Sequence, residues 1–397
     1  MKAASSGFWL KKLPVLVLLL AFIGAAPLFA QKTLANSIRI TPPVFGPANP
    51  DNPTHVNFAL GLNQEIGKVY DNFIDEIAAS DFGSINSDPQ KLMRGFANSS
   101  VFSSSAATQR GYGGYKLFAF TVGTMVGAQL PVSLFSSSLV DDIQNLETKL
   151  QDEGDVNFGL NPQAITGQIG INAKFLLDGL YLGFKFGYFN LDMIEDYSFS
   201  TFSLGLMANY QLVKQKRFLG PLFLWRGVNI GSGLVYQRTN VGFGMDMGEY
   251  DVATEQLNIN GHSVYVGAEI TDSRANLDFN INTVTIPLEV MTSVRLLGIL
   301  NLSVGAGIDF GFGAAKLNTR VAATAETTFS GNYDTYVEEI SPARVDIDVG
   351  GKNTPKFFNP KVMAGLGVGI GPVLLDVPVT IYVGQGYNLG LTFTVVW

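Results

Sequence analysis

The 397-residue sequence has no cysteine. A disulfide framework and an anchor built on a lipid-modified cysteine are both excluded. It has two histidines, His55 and His262, and neither a Gly-x-Ser-x-Gly segment nor a metal-ligand spacing. Hydrolytic and metal-assisted chemistry therefore lacks its usual parts, and the chain reads as no enzyme and as needing no cofactor. Charge is sparse at 15%, with 33 acidic residues against 26 basic ones. An acidic chain repels phosphate backbones, so nucleic acid is not a partner. The glycine-rich "GAGIDFGFG" from Gly305 lies inside an alternating stretch with no helix after it. Its glycines read as space on a strand face, not as a phosphate cradle. Beyond the N-terminus no apolar run reaches 18 residues, which excludes spanning helices.

What is present begins with "MKAASSGFWLKKLPVLVLLLAFIGAAPLFAQ": Lys2, Lys11 and Lys12, an apolar stretch from Leu13 to Ala26, then small residues. These are the parts of a secretory signal peptide spanning 1–30, cut after Ala30, with Leu28 standing where a small residue is usual. The apolar core is shorter than the roughly 20 residues a spanning anchor needs. Loss of three lysines takes the formal net charge from -7 to -10 (-7 - 3).

Hydrophobic residues make up 47% of the chain, a membrane composition, and 44 glycines and 29 phenylalanines are spread through alternating segments. Ile165, Ile169 and Ile171 alternate with Thr166, Gln168, Gly170 and Asn172, and Lys174 continues the polar side. Asp178-Gly179 then fits a tight hairpin, in which both central residues need positive φ. Leu180, Leu182, Phe184, Phe186 and Tyr188 oppose Gly183, Lys185 and Gly187, while Phe202, Leu204, Leu206 and Tyr210 oppose Thr201, Ser203 and Asn209. Val284 to Leu296, Leu300 to Phe312 and Val362 to Ile370 repeat the pattern. Pro287 forgoes a ladder hydrogen bond inside its strand, and a phase slip between Phe279 and Val284 reads as a bulge.

Strands of soluble sandwiches average about 5 to 6 residues, whereas these run to the 9 to 11 or more that cross a bilayer. An open edge in lipid would leave backbone groups unpaired, so the sheet closes on itself. The prediction is an all-β fold, a transmembrane antiparallel β-barrel of 10–14 strands with a partly helical N-terminal segment. The alternative is a soluble sandwich.

The C-terminal "YNLGLTFTVVW" places Tyr387, Leu389, Leu391, Phe393, Val395 and Trp397 on one face. Chain ends usually fray, so an apolar last strand predicts a seam strand pairing with the first and facing lipid. The stretch resembles the C-terminal signature of bacterial outer-membrane proteins, with Trp397 where Phe is usual. The resemblance implies recognition by the barrel-assembly machinery, outer-membrane lipid as surroundings, and residence in the cell outer membrane of a diderm bacterium.

Ten strands parse from Phe118–Leu130 onward, with short turns at one end and longer segments, 131–162, 191–200, 238–276 and 317–357, at the other. Further hairpins inside the last two would raise the count to 12 or 14. The first of these contains "SSLVDDIQNLETKLQ", where Ser138 precedes Asp141 and Leu139, Ile143, Leu146 and Leu150 share a helix face. The barrel domain is assigned to 114–397. Residues 31–113 contain no alternating strand; "FALGLNQEIGKVYDNFIDEIAA" has helical spacing, and the segment reads as a plug in the lumen or a periplasmic arm.

A small-residue stretch, "GFANSSVFSSSAATQRGYGGYKLFAF" from Gly95, then a strand, a helical outer segment and a barrel closing on an aromatic residue resemble the FadL-type outer-membrane transporters. The Asn-Pro-Ala segment typical of that family is missing. The resemblance implies a 14-stranded barrel with an N-terminal hatch and passive uptake of hydrophobic compounds such as long-chain fatty acids.

Two functions follow as expectations. In the first the protein is a channel or transporter for small hydrophobic ligands, its lumen lined by Gln168, Asn172, Lys174, Lys185, Asn209, Asn229, Glu289, Arg295 and Asp309. In the second it is an adhesin whose outer segments bind host or environmental ligands. His262, in the segment with Glu269 and Asp272, reads as a solvated loop residue and not a catalytic one.

Overall fold

The computed structural model describes residues 38–79, 89–105, 115–129, 159–194, 197–218, 222–246, 250–259, 262–330 and 335–397. The predicted signal peptide and the predicted helix at 137–151 lie outside them. Two short strands, β1 (Ile38–Thr41) and β2 (Val44–Pro47), precede two helices, α1 (Pro53–Ala79) and α2 (Pro89–Ser105). Then follow β3 (Phe118–Gln129), β4 (Gly159–Asn172), β5 (Leu180–Ile194), β6 (Tyr197–Val213), β7 (Lys216–Phe218), β8 (Phe223–Asp246) and β9 (Tyr250–Ile259). The chain finishes with β10 (His262–Leu296), β11 (Leu300–Ser330), β12 (Val337–Ser341), β13 (Ala343–Asn353), β14 (Phe358–Ile370), β15 (Val373–Tyr382) and β16 (Gly386–Val396).

Antiparallel pairing runs β3-β4-β5-β6-β8-β10-β11-β14-β15-β16 and returns from β16 to β3, a closed ring of ten strands. At the seam Trp397 N–H donates to the Phe118 carbonyl at 2.9 Å, and the two rings stack with centroids 4.4 Å apart. Both backbone groups of Trp397 are therefore held by the chain at the start of β3, its carbonyl accepting from Lys116 and Leu117 at 2.8 and 2.9 Å.

The outward side chains form an apolar band: Leu206 is 64% exposed, and Phe184, Leu288, Leu366 and Leu391 are exposed as well, at 41 to 54%. About 13 residues of β10, Val284 to Leu296, extend roughly 40 Å at about 3.4 Å per residue. At a tilt of about 45° that is close to 30 Å of height, the thickness of a hydrocarbon core. The fold is a transmembrane β-barrel. Among the described residues no helix is long and apolar enough to cross a membrane.

One end of the ring, the turn end, has short connections. At Leu297 and Gly298 φ is +54° and +70°, so the strand reverses through two left-handed residues. The Asp178-Gly179 expectation needs correction: only Gly179 has positive φ, and the connection spans the whole of 173–179. At the opposite, far end the strands outgrow the ring. The segments 238–276 and 317–357, expected as loops, are mostly strand: β9 adds to the far half of β10, β13 to the far half of β11, and β1 to β13. The extra strands never enter the ring, so its count stays at ten.

The N-terminal segment was expected to hold no strand, yet β1 and β2 form there because partner edges are waiting on β13 and β12. Asn52 caps α1 by accepting the Thr54 N–H at 3.0 Å, with Pro53 in the first helical position. The Asn63 side chain clamps α1 to β2 through both backbone groups of Phe45, at 2.9 and 2.8 Å. Phe58, Leu62 and Ile66 of α1 share a core with Phe45, Leu257, Val264 and Val337. This cap stands on the far end.

The predicted bulge between Phe279 and Val284 is absent: pairing to β11 runs residue for residue from Asp272 to Leu296. The surroundings change instead. From Val284 toward the turn end, even-numbered residues of β10 meet lipid and odd-numbered ones the polar lumen. Beyond it the even residues Asp278, Asn280 and Asn282 meet water, while Phe279 and Ile281 are buried inside. The strands beside it switch at the same height, and Tyr188, Phe202, Tyr236 and Phe312 mark the level as an outward aromatic girdle. Pro287 keeps its register with Asp309 but interrupts the pairing with β8, which stops at Thr285↔Val235 and resumes at Leu288↔Ser232.

Candidate functional site: the stoppered lumen

The lumen is occupied by α2, which differs between its two halves. Leu92, Met93, Phe96 and Ala97 pack against Tyr197, Phe199, Val241, Phe279, Ile281 and Leu317, an apolar interior at the far end. Asn98, Ser99, Ser100, Ser103 and Ser104 come next and are wholly buried in the polar interior at membrane height. Serine is a middling helix former. Here each hydroxyl of Ser99, Ser103 and Ser104 reaches the carbonyl three residues back, at 2.8 to 3.0 Å, so no donor is stranded.

The same small side chains let helix and wall come close. A Cβ on Gly127 would overlap the Ser99 carbonyl, and one on Gly159 the Gly95 backbone. Ser100 and Ser104 lie 2.7 Å from the hydroxyls of Thr283 and Thr285. Asn98 donates to Gln129 at 2.6 Å and accepts the Lys356 N–H at 2.6 Å. Gln237 donates to Ser103 at 3.1 Å and accepts from Gln163 at 2.5 Å. The Phe102 ring stacks on Tyr382 at 3.9 Å, and its carbonyl accepts from Asn388.

The charged groups of the lumen have partners of two kinds, backbone or amide oxygens and opposite charges. Lys185 points its ammonium at the Ser104 carbonyl, 2.5 Å away, where the helix dipole is negative. Lys361 bridges Glu289 and Asp309, 2.6 Å from the latter, and Asp309 accepts from the Tyr382 hydroxyl at 2.7 Å. All three ionic groups are fully buried. Two lysines and two carboxylates leave this part of the lumen neutral. Toward the turn end, Arg226 lies 3.4 Å from the Asn301 oxygen and Arg295 donates to the Gly369 carbonyl at 2.8 Å.

Of the residues predicted to line the lumen, Gln168, Lys185, Asn209, Glu289 and Asp309 are buried on the inner face, and Asn172, Asn229 and Arg295 are half-buried. Asn172 donates to the Tyr115 carbonyl at 3.0 Å. Lys174 is a correction: the strand ends at Asn172, and Lys174 stands exposed in the turn. The terminal residues Leu389, Leu391, Phe393 and Trp397 face outward on or beside β16, with Tyr387 and Val395 partly covered.

Sequence reasoning missed α2 as a helix, along with Gln163, Gln237, Lys361, Tyr382 and Asn388. The available signal was the serine spacing, 99, 100, 103 and 104, which is helical. His55 packs its ring 5.0 Å from Tyr336 in the cap, and His262 opens β10 opposite Ile259. Among the described residues no cluster of His, Cys, Asp and Glu is placed to hold a metal.

The family described as Lsa36-like matches residues 59–397. No curated protein matches the chain. Among solved structures, the toluene transporter TbuX of Ralstonia pickettii is similar at 9% identity and a TM-score of 0.25, covering 77% of this chain and 99% of its own. The translocator domain of the autotransporter NalP from Neisseria meningitidis is similar at 9% identity and 0.25, covering 71% and 89%. The Pseudomonas putida toluene transporter TodX is similar at 7% identity and 0.23, covering 77% and 99%.

Proposed function

The chain belongs to the Lsa36-like family, and for its stoppered barrel we propose passive uptake of small hydrophobic molecules across the outer membrane. Short turns of such barrels face the periplasm, so the far end and its cap point outward. An open diffusion pore is a poor fit, because a helix lies inside the ten-strand ring and touches its wall on several sides. The observation that carries the reading is the apolar, aromatic-lined compartment at the far end, where Phe199 and Phe279 hold Leu92, Met93 and Phe96 by dispersion and exclusion of water alone. A hydrophobic ligand can replace such contacts one for one, whereas it has nothing to offer the hydrogen-bonded half below. The break in β8–β10 pairing beside Pro287 supports a sideways exit into lipid at the height of the apolar band.

The test is planar-bilayer conductance of the refolded chain and of a form lacking residues 31–113, together with binding of a long-chain fatty acid. The expected result is low conductance for the whole chain, a larger pore for the shortened one, and saturable binding. Equal conductance with no binding rejects uptake.

A second reading, an adhesin, is supported by the cap itself. It is a structured unit with its own core beyond the membrane, and it bares Leu60 and Ile340 on its surface.

A further inference from the structure

The residues ahead of β3 form one stretch of chain whose parts stand at different heights. Residues 38–79 are built into the far end: Arg39 pairs with Asp346, Phe45 with Glu339, and Phe58 and Leu62 lie in a core with Leu257 and Val264. Helix α2 is inside the ring. Lys116 is at the turn end, where its N–H donates to the Trp397 carbonyl at 2.8 Å, and the Tyr115 ring lies 4.8 Å from that of Tyr181. In chain order the described residues thus stand at the far end, inside the ring and at the turn end before β3 begins the wall. The seam offers no later way in, since β16 and β3 pair without a gap from Ala119↔Val396 to Gln129↔Gly386.

We propose that the protein carries its own N-terminal segment outward through its lumen during assembly and displays at the cell surface whatever precedes β1, with α2 the part that stays behind as the stopper. This rests on the outer-membrane orientation given above and is independent of hydrophobic uptake.

The dimensions restrict how this happens. Interiors of about 8 strands are filled by side chains alone, and ten strands here hold one helix in contact with the wall on several sides. A folded cap cannot pass, so residues 38–79 cross as extended or singly helical chain and fold beyond the membrane. Their fold is completed there by the barrel, because the cap core mixes N-terminal side chains with Leu257, Ile259, Val264 and Val337 of β9, β10 and β12. Folding at the far end therefore draws the segment out and opposes its return. Passage ends when the serine face of α2 meets Thr283, Thr285 and Gln237.

The experiment uses the full chain with a peptide epitope placed ahead of Ile38, or in the Asp178-Gly179 turn, and antibody labelling of cells before and after outer-membrane permeabilisation. Labelling of intact cells is expected for the first position, and labelling only after permeabilisation for the second. A second arm puts a small disulfide-locked domain ahead of Ile38, with barrel folding followed by heat-modifiability. Its surface signal should fall at least about tenfold below that of the same domain with serines for its cysteines, and return when cells grow with a reductant. An N-terminal epitope reached only after permeabilisation overturns the proposal. So does a locked domain displayed as well as the open one, or failure of the reductant to restore display. Labelling of the turn on intact cells overturns the orientation itself, whereas the conductance and binding measurements test uptake separately.

Discussion

Strand β10 passes through two environments, and its two lengths can be compared directly. From Val284 to Val290 it turns Val284, Ile286, Leu288 and Val290 outward and Thr285 and Glu289 inward. Between Asp278 and Asn282 it turns Asp278, Asn280 and Asn282 outward and Phe279 and Ile281 inward. The backbone alternation is the same throughout, since successive side chains point to opposite faces. Only the medium differs: lipid outside and a hydrogen-bonded helix half inside below the girdle, water outside and an apolar helix half inside above it. A strand's period thus reports the backbone, and its phase reports which side is dry.

The strongest way to break the lower half is at the seam. Deleting Trp397, or replacing Phe393 and Trp397 together by Ser, should abolish insertion while secretion continues, because the closing strand loses its lipid face. Normal yields of heat-modifiable barrel in the outer membrane would contradict this. Next come two interior changes, one on each side of the girdle. Lys361→Met leaves Glu289 and Asp309 without their cation and should cost about 3 to 5 kcal/mol. Phe279→Ala leaves a cavity in the packed apolar half and should cost a similar 3 to 5 kcal/mol. Denaturant unfolding of the protein in lipid vesicles measures both, and a loss under 1 kcal/mol at either position would mean that its half of the stopper is not packed as described.

The outer faces should respond oppositely. Leu206→Arg should cost roughly 2 to 4 kcal/mol if it lies near the midplane, whereas Asp278→Arg, exposed to water beyond the girdle, should stay within about 0.5 kcal/mol. Equal costs in the same assay would erase the boundary.

The smallest effect is expected at the turn end, where the Asp178–Lys214 pair at 2.7 Å holds the carboxylate below its ordinary pKa and raises that of the lysine. The Asp178 contribution is present above the unfolded carboxylate pKa and fades as pH falls through the lowered one. The Lys214 contribution is present below the unfolded lysine pKa and fades as pH rises through the raised one. Both groups are fully exposed, so added salt should remove either effect. The comparison is Asp178→Asn against the parent across pH 2 to 6.

The wall was legible in the sequence because lipid on one side and a polar lumen on the other print a period of two over lengths no soluble sandwich needs. The far halves of β10 and β11 were not, because their apolar residues change sides there, and the change looked like a bulge followed by loop. Helix α2 was hidden for a different reason. Gly95, Asn98 and four serines have weak intrinsic helicity, and what holds them helical is a wall supplied by residues 31 to 286 positions away. Lys174 was misassigned because alternation alone cannot tell where a strand stops and its turn begins.

The placement of α2 also has a mechanical side. Its first residues lie near the far rim, where the Gln90 carbonyl accepts from Asn353, and its last lie deeper, against Lys185 and Thr285. Its contacts with the wall point sideways along that path. A tug on the cap is therefore aligned with the helix and loads these contacts in shear, so that many must yield together. A push from the turn end loads them the same way, and the ring, closed strand to strand, spreads either force around its whole circumference.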